Sequence, residues 1–217
     1  MARKFIYIRS YRYCLFTLAA FIASLGFIAC FNAIIDPFNM YAKVKIEGIN
    51  INKPAVYSRM RLYKSFEVEQ VQPQTIILGS SRTHLGISCS HEALAKLEAP
   101  CYNLAFDGAT AKEMYYYLRH ADAVRPLKHV VLGLDLYHAS NAPAITRPDF
   151  DEFLLYSDNL PHWFRVITAD LRLLTSFDML RASIQTIRSQ LKIESSWFSP
   201  DGQRLGEVFF RQVQPTF

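Results

Sequence analysis

The chain has 217 residues, a formal net charge of +5, 51% apolar residues and 20% charged residues. That is enough for one ordinary domain plus a membrane segment, and the lack of any low-complexity tract excludes global disorder. The positive charge does not mark a nucleic-acid binder: the basic residues are scattered, and four of them, Arg3, Lys4, Arg9 and Arg12, precede the first apolar run.

Residues 1–12 read as a basic cytoplasmic segment. Residues 13–35, YCLFTLAAFIASLGFIACFNAII, hold no charged residue. At about 1.5 Å per residue this run spans roughly 34 Å, enough to cross a hydrocarbon core of about 30 Å. A cleaved signal has a shorter apolar core of about 7–15 residues, so an uncleaved single-pass anchor is expected. Cys30 in FIAC matches a lipobox only loosely, since Phe27 fits that pattern poorly. The basic amino-terminal flank predicts a cytoplasmic N-terminus and an exported remainder, with the lipid bilayer as a partner.

Cys14 and Cys30 fall inside the apolar run, and no Cys-x-x-Cys spacing exists, so no metal and no cofactor are expected. Cys89 and Cys101 would stand in an oxidising compartment, where both a bridge and two separate thiols stay open.

Asp36-Pro37 ends the first helix, because proline cannot continue it. Residues 36–74 are expected to connect anchor and domain, with a short helix near SRMRLYKSFEVEQ. The basic residues Lys43, Lys45, Lys53, Arg59, Arg61 and Lys64 are expected on a solvated surface, or near lipid headgroups. From residue 75 three short apolar runs follow: TIILG, CYNLAF at 101–106 and HVVLGLDL at 129–136. Helical stretches separate them, HEALAKL and ATAKEMYYYLRHADAV. In the second, Ala111, Met114, Tyr115, Leu118 and Ala121 recur at helical spacing and predict its buried face. Continuous apolar strands alternating with helices predict an α/β fold with a parallel sheet and helices on both faces.

After residue 137 the chain reads as loop. One or two helices are expected over 163–193, with Phe164, Ile167, Leu171, Leu174 and Phe177 as an inner face. Residues 75–217 are therefore expected to form one α/β domain with a helical insertion at about 148–195.

The chemistry centres on TIILGSSRTHLG at 75–86. A strand-to-helix turn at the carboxyl edge of a parallel sheet is where open α/β folds bind ligands. A serine there stands near the free N–H groups of a helix start. Three readings follow: a nucleophile, an anion cradle that uses Arg82, or a helix cap at Ser80 or Ser81. NLAFDGAT places Gly108 after the second strand, and VVLGLDL places Gly133 and Asp135 after the third.

These three blocks resemble the SGNH (GDSL-type) hydrolase superfamily, most closely its membrane-anchored bacterial members that acylate teichoic acid or alginate. The resemblance covers roughly residues 75–137. It implies a flavodoxin-like fold, a nucleophile at Ser81, and an oxyanion hole from the N–H groups of Ser81 and Gly108. Ser80, Arg82, Asn103 and Asp135 are then expected to line the site. The implied activity is a serine esterase or O-acyltransferase at the bacterial inner membrane, with the bulk of the chain extracytoplasmic. The implied partners are a polysaccharide or acyl-donor substrate and a membrane acyltransferase. Two departures stand out. Asp135 takes the place of an expected Asn, and an ionised carboxylate cannot donate a hydrogen bond. The family's Asp-x-x-His base is missing; His84, His138 and His162 are the nearest candidates for it. Two further strands and the base-bearing block are expected beyond Phe217, as in a fragment of a longer protein. A non-catalytic binding or scaffold protein of an envelope-modification system is the alternative.

Overall fold

The computed structural model describes residues 2–41, 45–97, 99–139, 147, 149–155, 162–190 and 197–206. Helix α1 runs Ala2–Ile35. Its segment Tyr11–Ile35 is long and apolar enough to cross a membrane. Asp36 then adopts a left-handed backbone, with φ of 46°, and Pro37 prevents continuation. The buried Asp36 carboxylate accepts the N–H of Met40 at 2.7 Å and pairs with Lys53 Nζ at 2.9 Å. These contacts fix how the chain leaves the helix.

The sheet has three parallel strands in the order β2-β1-β3: β1 (Thr75–Leu78), β2 (Cys101–Asn103) and β3 (His129–Leu132). Thr75 pairs with Cys101 on one side and with His129 on the other. β1 is buried along its whole length, as a continuous apolar run requires. On β3, Val130 and Leu132 point to solvent. The described chain is thus a mixed α/β structure with seven α-helices.

Helix α2 (Met60–Val71) packs on α5 (Ala111–Val124). The stretch expected to connect anchor and domain thereby contributes Met60, Tyr63 and Val68 to the core of the sheet. A capping box starts α5: Thr110 accepts the N–H of Glu113, and Glu113 accepts that of Thr110. Its buried face differs from the expected one. Glu113, Met114, Tyr117, His120 and Ala121 face inward, whereas Tyr115 is exposed. The rotation comes from polar partners on α2. Arg61 pairs with Glu113 at 2.8 Å, and His120 Nε2 meets the carbonyl of Ser65 at 3.0 Å.

Two further expectations change, and two open readings are decided. Arg61 and Lys64 are buried and Lys53 is bound to Asp36, so these residues face neither water nor headgroups; Lys43 lies outside the described residues. The expected helical stretch after residue 162 forms two helices, α6 (His162–Leu174) and α7 (Phe177–Ser189). Ile167, Leu171 and Phe177 were expected inside, yet they are 51%, 56% and 76% exposed. The side chain of Phe164 lies outside the described residues. Finally, Cys89 and Cys101 form a disulfide with a Cα–Cα separation of 5.7 Å.

Candidate functional site

At the carboxyl edge of β1 the chain turns through Gly79 and Ser80 into α3 (Ser81–Gly86). The turn is tight because Thr83 packs where a Cβ on either Gly79 or Gly133 would stand. Only glycine at the ends of β1 and β3 allows that approach. Ser80 caps α3: its hydroxyl accepts the N–H of Arg82 at 3.4 Å and donates to the Asp135 carboxylate. The cap reading therefore describes Ser80, which is almost fully buried. Ser81 is the first residue of α3 and is half-buried; its hydroxyl has no hydrogen-bond partner among the described residues.

Arg82 Nη1 donates to Asp135 at 3.0 Å. The hydrogen bond from Ser80, joined by the Arg82 charge, holds the Asp135 carboxyl below its ordinary range. Asp135 is thus an ionised acceptor and not an oxyanion donor. The same pairing neutralises Arg82, which weakens the anion-cradle reading. His138 ties the loop after β3 to the loop after β2. Its Nδ1 accepts the N–H of Asp135 at 2.9 Å, and its Nε2 meets the Ala109 carbonyl at 3.0 Å. Gly108, next to Ala109, has φ of +64°, a conformation that favours glycine. A cleft of about 520 Å³ lined by Tyr57, Arg61, Asp107, Arg147 and Asp149 opens beside this loop.

Asn103 does not line the crevice. It is fully buried, donating to the Ile87 carbonyl at 2.7 Å and accepting the N–H of Ala105 at 3.0 Å. It fastens the end of α3 to the loop that leads to Gly108.

Beneath that loop lies a polar cluster that sequence reasoning missed. Lys64 Nζ donates to the carbonyls of Asn103 at 2.7 Å and Ala105 at 2.8 Å, and stands 3.1 Å from His84 Nε2. His84 Nδ1 stands 3.1 Å from Asp107, which also accepts from Tyr57 at 2.5 Å and from Arg204. These contacts assign the tautomer: Nδ1 carries the proton and Nε2 accepts from Lys64. Burial, aided by the Lys64 charge, lowers the His84 pKa to about 4. Burial likewise pushes Lys64 well below its ordinary value. Burial alone would raise Asp107, but hydrogen bonds from His84 and Tyr57 bring its carboxyl down to about 2. Phe198 stacks on His84 and on Tyr63, closing the cluster. One signal was present in the sequence: Lys64 stands at four-residue spacing between Met60 and Val68, on the apolar stripe of its helix.

No described histidine side chain is hydrogen-bonded to the Ser81 hydroxyl. His84 is sealed in the cluster, and His138 uses both ring nitrogens between loops. His91 caps α4 (Glu92–Ala95), His120 is buried against α2, and His129 opens β3 at the far edge of the sheet. The side chain of His162 lies outside the described residues. Comparison with family models, with curated proteins and with solved structures returns no match.

Proposed function

We propose that this chain is a membrane-anchored, extracytoplasmic serine esterase or O-acyltransferase of the SGNH type that acts on an envelope or exported polysaccharide. The observation that carries the reading is the division of labour in the serine pair. Ser80 is consumed as cap and Asp135 ligand, which leaves Ser81 at the helix start with an unpartnered hydroxyl among the described residues. The strand order β2-β1-β3 is also compatible with a flavodoxin-like sheet, whose ligands bind at the carboxyl ends of the strands. In this reading the Ser81 oxygen attacks an acyl carbon, and the N–H groups of Ser81 and Gly108 hold the developing oxyanion. Collapse expels the first alcohol and leaves an acyl-serine, which water or a sugar hydroxyl then cleaves. The base that takes the Ser81 proton is none of the five histidines whose side chains are described.

That last point favours a second reading, a non-catalytic binding or scaffold protein of the same envelope system. A fluorophosphonate probe separates the two. Applied to the full-length protein in membranes, it is expected to modify Ser81, with the adduct found by peptide mass spectrometry and lost in Ser81→Ala. Absence of the adduct on folded protein overturns the enzyme reading and supports the scaffold.

A further inference from the structure

We infer that the outer faces of α6 and α7 are seated in the interfacial layer of the bilayer that α1 crosses, so that the α/β domain rests on the membrane instead of hanging from a tether. The inference rests on α1 being a membrane span and is independent of any chemistry at Ser81.

Depth carries the argument. Asn32 lies one turn before the end of α1. Its amide donates to the Leu174 carbonyl at 2.7 Å and accepts from the Ser183 hydroxyl at 2.7 Å. The α6–α7 corner is thereby bonded to α1 where the uncharged run ends. Above Asn32, Ala29, Ile28 and Leu25 are partly covered, at the spacing of one helix face. Among the described elements, α6 and α7 pack on α1. Leu25 lies about 10 Å of helix rise deeper than Asn32. The α6–α7 corner and Ser183, near the middle of α7, therefore lie at the depth of the last turn of α1.

At that depth the outward surface of α6 and α7 is apolar. Ile167 and Leu171 stand one turn apart on α6, and Phe177, Ile184 and Ile187 follow one face of α7. All five are exposed, from 39% to 76%. Single exposed apolar residues are ordinary, but a periodic set on two adjoining helices beside a membrane span is the pattern of interfacial helices. Arg181 and Arg188, both exposed on α7, flank the apolar row where a long basic side chain reaches a headgroup phosphate. The occupant is the lipid because this surface is continuous with α1.

The test uses the full-length chain in vesicles of phosphatidylcholine and phosphatidylglycerol. Cys14 and Cys30 are replaced by serine, and a bimane fluorophore is placed in turn at Leu171→Cys, Ile184→Cys and Ile187→Cys. Lys96→Cys, on the exposed end of α4, is the aqueous control. Native Cys30, exposed on α1, labelled in a Cys14→Ser background, is the membrane standard. Lipids with a nitroxide at a shallow acyl position are expected to quench positions 171, 184 and 187 several-fold more than Lys96→Cys, approaching Cys30. Quenching at Cys30 together with Lys96-like values at all three positions overturns the inference. Shielding of positions 184 and 187 from both nitroxide lipid and aqueous iodide means that protein covers the face, and overturns it equally. No quenching at Cys30 removes the membrane span on which the inference rests.

Discussion

Replacing Ser80 by alanine removes an acceptor for the Arg82 N–H and a donor to the Asp135 carboxylate in one step. Loss of a cap typically costs about 1 kcal/mol and loss of a hydrogen bond to a charged group about 1.5–3. Ser80→Ala is therefore expected to lower the unfolding midpoint clearly, whereas Ser81→Ala leaves it within roughly 0.5 kcal/mol of the parent. Urea unfolding of the two variants in detergent checks this; equal losses would mean that Ser81 is structural too. His84 gives a second residue-scale test. Its folded pKa of about 4 lies below the ordinary value of 6.5, so the unfolded chain takes up the proton first as pH falls. The neutral ring then contributes stability that is full above pH 6.5 and lost between about 6.5 and 4, on the order of 3 kcal/mol. Asp107, lowered from 3.8 to about 2, loses its contribution only below that window. Unfolding free energies measured from pH 8 to 4 are expected to fall in the wild type and less steeply below pH 6.5 in His84→Phe, where Lys64, also lowered by burial, still contributes; parallel curves would refute the assignment. The serine pair was legible because a strand, a glycine and two hydroxyls lie together in sequence. The Lys64–His84–Asp107 cluster was not, because its members come from three segments and only packing joins them.

Between elements, the α2–α5 contact is held by a buried ion pair, Arg61 with Glu113, reinforced by the Arg61 bond to the Asp107 carbonyl at 3.1 Å. Removing one partner leaves a buried charge without its counterpart, which costs about 3–5 kcal/mol. Arg61→Met is expected to destabilise by that amount. Adding Glu113→Gln is expected to recover part of the loss, because glutamine removes the charge and still completes the capping box with Thr110. A double-mutant cycle by urea unfolding reads the coupling; additive losses would show that the pair does not hold the helices together. The same contact shows where periodicity stops being informative. The three strands and the helix over 111–124 follow from runs and spacing alone. The buried face of that helix does not, since Glu113 and His120 count as polar in any pattern until Arg61 and Ser65 supply partners. Ile167, Leu171 and Phe177 fail in the opposite sense. Their spacing declares an apolar face but not what that face meets, and a helix beside a membrane span need not turn it toward protein.

At the scale of the molecule, the disulfide and the apolar N-terminal helix make one joint prediction about the side of the membrane. Cys89 and Cys101 close a loop across α4, and the loop segment at Cys89 is also tied to the C-terminal turn, where the Asp201 carboxylate accepts the N–H of Cys89 at 2.9 Å. With a sequence separation of 12, the chain-entropy model gives the bridge about 3 kcal/mol. It forms only where thiols are oxidised, which for an anchor with a basic amino-terminal flank is the exported side. On intact cells a membrane-impermeant maleimide is expected to label Lys96→Cys in a Cys14→Ser, Cys30→Ser background. The same reagent is expected to reach Cys89 and Cys101 only after reduction, which also lowers the unfolding midpoint. If Lys96→Cys reacts only after cells are opened, the domain is cytoplasmic; the bridge then lacks its compartment, and a polysaccharide outside the membrane is out of reach of Ser81.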